Sequence, residues 1–95
     1  MSSPGSRFKE IRLAIGLSQE EFGEKIKLSK SGVSAVENDK TFVSFEILRT
    51  LFIDCNVNLN YLVAGAGSLF NPPKYEDVKE DILKEVEQML KDRGL

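Results

Sequence analysis

The sequence has no histidine or tryptophan, one cysteine (Cys55) and three prolines among its 95 residues. Without histidine, a zinc site with histidine ligands is excluded, and a lone cysteine excludes a disulfide framework. Because small secreted domains usually depend on such cross-links, we expect a cytoplasmic protein. No apolar run approaches the roughly 20 residues that cross a bilayer, and the first residues lack the apolar stretch of a signal peptide. We therefore expect no membrane contact.

Neither sign of charge is in large excess, since the sequence has 13 Lys and Arg and 15 Asp and Glu, which gives a net charge of −2. Proteins that bind nucleic acids are usually basic, so the total argues mildly against this function. The imbalance is confined to residues 71–95, which have five basic and seven acidic residues, whereas residues 1–70 have eight of each. The total charge therefore does not exclude a nucleic-acid surface in the first part.

The spacing of apolar residues predicts a series of short helices. Phe8 and Ile11 begin a one-sided apolar pattern that predicts a helix over residues 7–15, ending at Gly16. Residues 1–6 before it are interpreted as a frayed arm. No stretch alternates with period two for long, and we therefore predict no sheet.

Residues that cap helices stand before each of the next four predicted helices. Ser18 is followed three residues later by Glu21, which forms the pattern of a reciprocal capping box. Ser29, Ser44 and Asn58 are capping types in front of the third, fourth and fifth helices. The chain therefore has the pattern of an all-α domain of five helices.

One apolar core is expected between these helices. Its predicted members are Phe8, Phe22, Val33, Val36, Leu48 and Phe52. The fourth helix is apolar at Phe45 as well, and we expect it to be mostly buried. Glu37 is expected to pair with Arg12 at the edge of the core.

Clusters of glycine, serine and proline at residues 65–68 and 71–73 predict a boundary between residues 1–70 and 71–95. Beyond it, residues 75–93 have the pattern of an amphipathic helix. Its apolar side includes Tyr75, Val78, Ile82, Val86 and Met89. Because an isolated helix of this length is marginal in water, we expect these residues to form a homodimer interface. The alternative is that the helix folds back on its own domain.

Residues 19–38 contain two short helices joined by a tight turn. Gly23 is small where the two helices are expected to cross closely. The second of these helices has a polar outer side at Lys30, Ser31 and Ser34, with Asn38 beyond them.

Residues 17–23 (LSQEEFG) and 33–38 (VSAVEN) resemble the helix-turn-helix of the Cro/C1-type (Xre) family. With the five-helix layout, the resemblance extends over about residues 6–70. It implies an all-α fold with a five-helix lambda-repressor-like DNA-binding domain over residues 1–70, followed by the C-terminal amphipathic helix in residues 71–95.

The resemblance also implies which residues meet DNA, because in this family the third helix enters the major groove. The implied base contacts are Lys30, Ser31, Ser34 and Ala35. The implied backbone contacts are Gln19, Asn38 and Lys40. Lys30 would donate to guanine O6 or N7 and Ala35 would offer a methyl group to thymine, while Gln19 is also expected to brace residue 30.

Three positions depart from the family's usual pattern. Lys27 and Asp39 stand where glycine is common, and Val43 stands where proline is common. We expect Lys27 to adopt a left-handed backbone at some strain. The charge of Asp39 is expected to lie near a phosphate, which would weaken backbone binding.

The resemblance therefore implies a transcriptional regulator that binds double-stranded DNA sequence-specifically, of the phage or mobile-element repressor type. It would act as a homodimer on a pseudo-palindromic operator, without cofactor or metal. No pairing of residues suggests a catalytic site, so an enzyme is not expected. The alternative is an antitoxin-like or adaptor module that uses the same fold to bind protein, which the neutral charge of residues 1–70 leaves open.

Overall fold

The computed structural model describes residues 2–72, 87–89 and 91. In this part of the chain the helices are α1 (Pro4–Ile15), α2 (Gln19–Ile26), α3 (Lys30–Glu37), α4 (Phe45–Cys55) and α5 (Leu59–Ala64). The only β pairing among these residues is a single bridge between Val57 and Phe70. The all-α prediction is therefore confirmed.

The amphipathic helix predicted for residues 75–93 lies mostly outside the described residues. Four residues of the predicted dimer interface lie outside the described residues: Tyr75, Val78, Ile82 and Val86. The fifth, Met89, is described, is helical and is 53% exposed. None of the helices in the described ranges has the length and apolar character needed to cross a bilayer.

Each of the helices α1 to α5 begins at a capping side chain that accepts a hydrogen bond from a backbone N–H in the first turn. The predicted caps Ser18, Ser29, Ser44 and Asn58 are confirmed. The Ser18 N–H donates in return to the carboxylate of Glu21 at 3.0 Å, and this hydrogen bond lowers the pKa of Glu21. The capping box is therefore complete above that lowered pKa and loses its charged acceptor as the pH falls through it.

The frayed arm predicted for residues 1–6 is wrong for residues 3–6, because Ser3 caps α1 and the helix begins at Pro4. Ser3 and Ser6 form a capping box with each other, and proline suits the first turn, where its missing N–H costs no hydrogen bond. The Gly5 N–H also donates to the carboxylate of Asp39 at 2.8 Å. The start of α1 is thus fixed partly by a residue that lies 34 positions further along the chain.

The core lies between the five helices, with Leu51 of α4 and Leu62 of α5 among its fully buried residues. Of the predicted core members, Phe8, Phe22, Val33 and Val36 are fully buried, and the ring centroids of the two phenylalanines are 5.2 Å apart. The prediction is wrong for Phe52, which is 51% exposed. Leu48 is half-buried against this core. These features fix the position of α3 relative to α1 and α2.

The prediction that α4 is mostly buried is wrong. Leu51 is its one fully buried residue, whereas Phe45, Phe52 and Ile53 are 80%, 51% and 60% exposed. At about 100° per residue, these three side chains fall within roughly 100° on the side away from Leu51. We call them the α4 outer surface. Because α4 is apolar around most of its circumference, its sequence alone did not indicate which side is covered.

Arg7 is a buried cation that joins α1 to the end of α5. Its guanidinium donates to the carbonyl oxygens of Leu62 and Val63, both at 3.0 Å, and to the carbonyl and hydroxyl oxygens of Ser2 at 2.7 and 3.0 Å. The last carbonyls of a helix have no partner within the helix and carry its negative dipole end. Arg7 therefore caps α5.

Candidate nucleic-acid interface

The turn between α2 and α3 is built on a close approach of the two backbones. The Leu28 N–H donates to the carbonyl of Gly23 at 2.8 Å, and a methyl group at Gly23 would collide with the carbonyl oxygen of Leu28. Lys27, the C-cap of α2, has φ 62°, so the predicted left-handed conformation is confirmed. The turn sets α3 across α2 and leaves one side of α3 in solvent.

That solvent side of α3 contains all the residues predicted from this helix to meet DNA. Lys30, Ser31 and Asn38 are exposed, and Ser34 and Ala35 are half-buried. At about 100° per residue the five fall within roughly 140°, whereas Val33 and Val36 face the core. We call this set the α3 outer face, and its residues are Lys30, Ser31, Ser34, Ala35 and Asn38.

A buried ion pair holds α3 on α1, which confirms the predicted pairing of Arg12 with Glu37. The Nε of Arg12 donates to Glu37 Oε2 at 2.8 Å, and an Nη donates to Oε1 at 3.1 Å. The two side chains are only 9% and 4% exposed. Arg12 also donates to the carbonyl of Leu17 at 2.8 Å, just before α2. The pair therefore connects α1, α3 and the segment before α2, and it neutralises the one carboxylate of α3.

Gln19, the first residue of α2, is half-buried beside this pair. Its amide donates to Glu37 Oε1 at 3.4 Å, so the expectation that it braces residue 30 is wrong in this structure. The buried carboxylate is a stronger acceptor than the neutral groups of the exposed face. Gln19 is thus positioned by Glu37 at the edge of the α3 outer face.

The loop after α3 turns its acidic residue towards the domain. Asp39 has φ 58°, which aspartate tolerates better than most residues, and its carboxylate accepts the Gly5 N–H at the positive end of α1. The charge expected near a phosphate is therefore engaged within the domain. Lys40 follows it and is exposed.

Neutral residues on or beside the α3 outer face form two hydrogen-bonded pairs, Asn38 with Ser34 and Ser29 with Ser31. The amide nitrogen of Asn38 lies 2.8 Å from the carbonyl oxygen of Ser34 and 3.4 Å from its hydroxyl. The hydroxyls of Ser29 and Ser31 are 3.2 Å apart. Sequence reasoning missed both pairs, although the separation of four residues between Ser34 and Asn38 places them on adjacent turns.

The acidic and cysteine side chains of the described part form no group that could hold a metal ion. The features that could contact a nucleic acid are the α3 outer face, which includes Lys30, and the exposed Lys40 beyond it. The basic side chains suit phosphate, and the small polar side chains suit base edges.

Comparison with known families gives a match over residues 8–62 to the family described as Helix-turn-helix. Comparisons with curated proteins and with solved structures give no match. The matched range contains α2, the turn and α3 entirely and covers more than half of the chain. The chain therefore belongs to the Cro/C1-type (Xre) helix-turn-helix family of DNA-binding regulators.

Proposed function

We propose that this protein binds double-stranded DNA sequence-specifically through the α3 outer face and represses transcription by covering a promoter. The observation that carries the proposal is the placement of charge around α3. The carboxylate of Glu37 is paired with Arg12, and that of Asp39 is held at the start of α1. Lys30 and Lys40 remain exposed. A phosphate backbone would therefore meet positive charge at this face although residues 1–70 are neutral overall.

Each residue of the interface has a distinct role in this proposal. The base contacts are Lys30, Ser31, Ser34 and Ala35. The backbone contacts are Gln19 and Lys40, whereas the amide of Asn38 is engaged with Ser34 in the free chain. Contacts to phosphate fix the register of the protein on the duplex, and contacts to base edges supply the specificity.

A salt titration of the full chain against random-sequence duplex tests this function. We expect the logarithm of the binding constant to fall linearly with the logarithm of the salt concentration between about 50 and 200 mM, because neutralised phosphates release counterions. Weak binding at every salt concentration would contradict the proposal and favour the adaptor function, in which the same fold binds protein.

Two lysine variants are expected to separate base readout from backbone contact. Lys30→Ala should cost about 1–3 kcal/mol on the preferred site and much less on random duplex. Lys40→Ala should weaken binding to both alike and lower the salt slope by about one unit. Both residues are exposed, so thermal melting should change little. Equal losses on both duplexes for Lys30→Ala would place Lys30 among the backbone contacts instead.

We further propose that the protein acts as a homodimer on a pseudo-palindromic operator, with Tyr75, Val78, Ile82, Val86 and Met89 at the interface. Two exposed apolar regions support this: Met89 in the C-terminal segment, and the α4 outer surface. A two-fold protein presents its recognition helices about 34 Å apart along the duplex, at successive major grooves. Dimerisation would therefore supply affinity that one domain lacks.

The double variant Ile82→Asp/Val86→Asp is expected to be monomeric and to bind a palindromic site at least about 10-fold more weakly. Two charges in an apolar interface would each lose their hydration. Sedimentation velocity with a binding isotherm measures both effects. Lys84→Ala/Lys91→Ala is the control, because it changes net charge equally on the opposite side of the predicted helix. A double variant that stays dimeric would exclude this interface.

A further inference from the structure

The chain leaves the domain through a short stretch that is tied to the loop between α4 and α5. Residues 69–71 form an antiparallel bridge with residues 56–58. The Asn71 N–H donates to the carbonyl of Asn56 at 2.9 Å, and the Asn71 amide donates to the carbonyl of Val57 at 3.1 Å. The amide of Asn56 donates in return to the carbonyl of Asn71 at 2.8 Å. Three hydrogen bonds therefore hold residue 71 at the end of α4.

This attachment places the start of the C-terminal segment, residues 73–95, beside the α4 outer surface. One surface cavity is lined by residues from both: Phe52, Ile53, Asn56, Asn71 and Pro72. Asn71 and Pro72 are each followed by a proline, which disfavours helical backbone, and neither is helical. The C-terminal segment therefore begins next to two of the three side chains that make up the α4 outer surface.

The α4 outer surface is a sizeable apolar patch that the described part of one chain leaves uncovered. Because an aromatic side chain has about 200 Å² of surface, Phe45, Phe52 and Ile53 together expose roughly 350 Å². Apolar patches of this size on a protein surface are often functional. Met89, in the C-terminal segment, is exposed as well. Each of the two apolar regions thus needs a cover from elsewhere.

The dimensions of the two regions favour a cover that combines them. Two α4 outer surfaces packed on each other would bury roughly 700 Å², whereas stable specific interfaces bury at least about 1,200 Å². The apolar side predicted for the C-terminal segment extends from Tyr75 to Met89, which is about 21 Å along a helix. The α4 outer surface, from Phe45 to Ile53, is only about 12 Å long. One α4 therefore cannot cover one segment, and surfaces from two copies are needed.

We infer that the C-terminal segment of each copy packs on the α4 outer surface of the other copy. This inference rests on the proposed homodimer, whose interface contains the whole apolar side of the segment. The α4 surface that the segment meets within that interface is then the partner's. Leu51, on the opposite side of α4, lies in the same core as Val33 of α3. The exchange would therefore join the two recognition helices through packed residues.

Cross-linking of the full chain tests the exchange, because Cys55 is the only cysteine and can be replaced. In a Cys55→Ala background, one chain carries Ile53→Cys, and a second chain with a size tag carries Val78→Cys or Ile82→Cys. A short bismaleimide is added to the mixture. We expect a product that contains both sizes of chain. Leu13→Cys in place of Ile53→Cys is the control, since Leu13 is equally exposed but lies on α1.

Two outcomes of the cross-linking would overturn the inference. A yield with Ile53→Cys no higher than with Leu13→Cys would mean that the segment does not reach α4. A chain that carries Ile53→Cys and Ile82→Cys together and is linked only within itself would mean that the segment covers its own α4.

A charge on the α4 outer surface provides a second test. Ile53→Asp should raise the dissociation constant of the dimer at least about 10-fold in sedimentation velocity, because a carboxylate in an apolar interface loses its hydration. Leu13→Asp, the matched control, should change it less than about 2-fold. The two side chains are 60% and 58% exposed, so thermal melting of the domain should show that both variants fold. Equal effects of the two variants would overturn the inference.

Failure of this inference is distinguishable from failure of DNA binding. A wild-type chain that is cross-linked as expected but binds no duplex would contradict the proposed function and support the exchange. A wild-type chain that binds duplex as a monomer would overturn the exchange and leave the DNA interface in place. Ile53→Asp keeps the α3 outer face, so its affinity for a duplex with a single half-site should equal that of the wild type.

Discussion

Replacing Glu37 with alanine is expected to destabilise the domain by about 3–5 kcal/mol, because it leaves the buried guanidinium of Arg12 without its charged partner. A small domain has only about 5–15 kcal/mol of stability in total. The change should therefore remove much of it, and DNA binding should weaken as the folded fraction falls. Urea unfolding followed by circular dichroism measures the free energy of unfolding directly.

Two further variants show whether the ion pair is the cause. In Arg12→Met/Glu37→Leu no uncompensated charge remains, so we expect this double variant to be more stable than Glu37→Ala. Glu24→Ala removes an exposed glutamate of α2 and should change stability by less than about 0.5 kcal/mol. A loss for Glu37→Ala no larger than that for Glu24→Ala would mean that the buried pair does not hold α3 in place.

Arg7→Ala is expected to destabilise the domain by about 3 kcal/mol. The variant leaves the carbonyl oxygens of Leu62 and Val63, at the end of α5, without their charged donor. Arg7→Lys should recover only part of the loss, since an ammonium group does not reproduce the planar fork that reaches α5 and Ser2 together. Urea unfolding of both variants checks this order.

The neighbouring Lys9→Ala is the control for Arg7, because Lys9 is exposed on the same helix. Its free energy of unfolding should match that of the wild type within about 0.5 kcal/mol. Amide exchange adds a local measurement, since loss of the cap should increase exchange in α5 first. If Arg7→Lys were as stable as the wild type, a positive charge alone would suffice at this position.

The parts of the fold that could be predicted from the sequence depend on local chemistry. Ser18, Ser29 and Ser44 cap helices because their hydroxyls reach a backbone N–H within the same turn. The left-handed backbone of Lys27 was implied by the resemblance, since the family commonly has glycine at this position of the turn. Such features involve residues that are close in the sequence, and the sequence therefore indicates them.

The features that the sequence did not indicate depend on distant residues. The start of α1 is fixed partly by Asp39, and the burial of Arg7 depends on the end of α5. Phe52 was expected in the core and Phe45 on a mostly buried helix, but this helix is apolar on several sides, and packing alone decides which side is covered. Helical spacing therefore predicts which residues share one side of a helix, whereas the rest of the fold decides whether that side is buried or exposed.

The same distinction applies to the interface. The helical spacing of the α3 outer face was readable from the sequence, and the structure places these side chains on one exposed side. The hydrogen bonds from Gln19 to Glu37 and from Asn38 to Ser34 were not predicted, because several polar partners were available to each amide. The network around the face thus had to be taken from the structure.

The central claim is that DNA contacts the α3 outer face, and amide chemical shifts measured during titration with duplex test it most directly. A selected duplex added to ¹⁵N-labelled full chain should move the amide signals of Gln19 and residues 30–40 most. The amides of the α4 outer surface should move little in the same titration. The largest shifts at Phe45, Phe52 and Ile53, with residues 30–40 unchanged, would contradict the account.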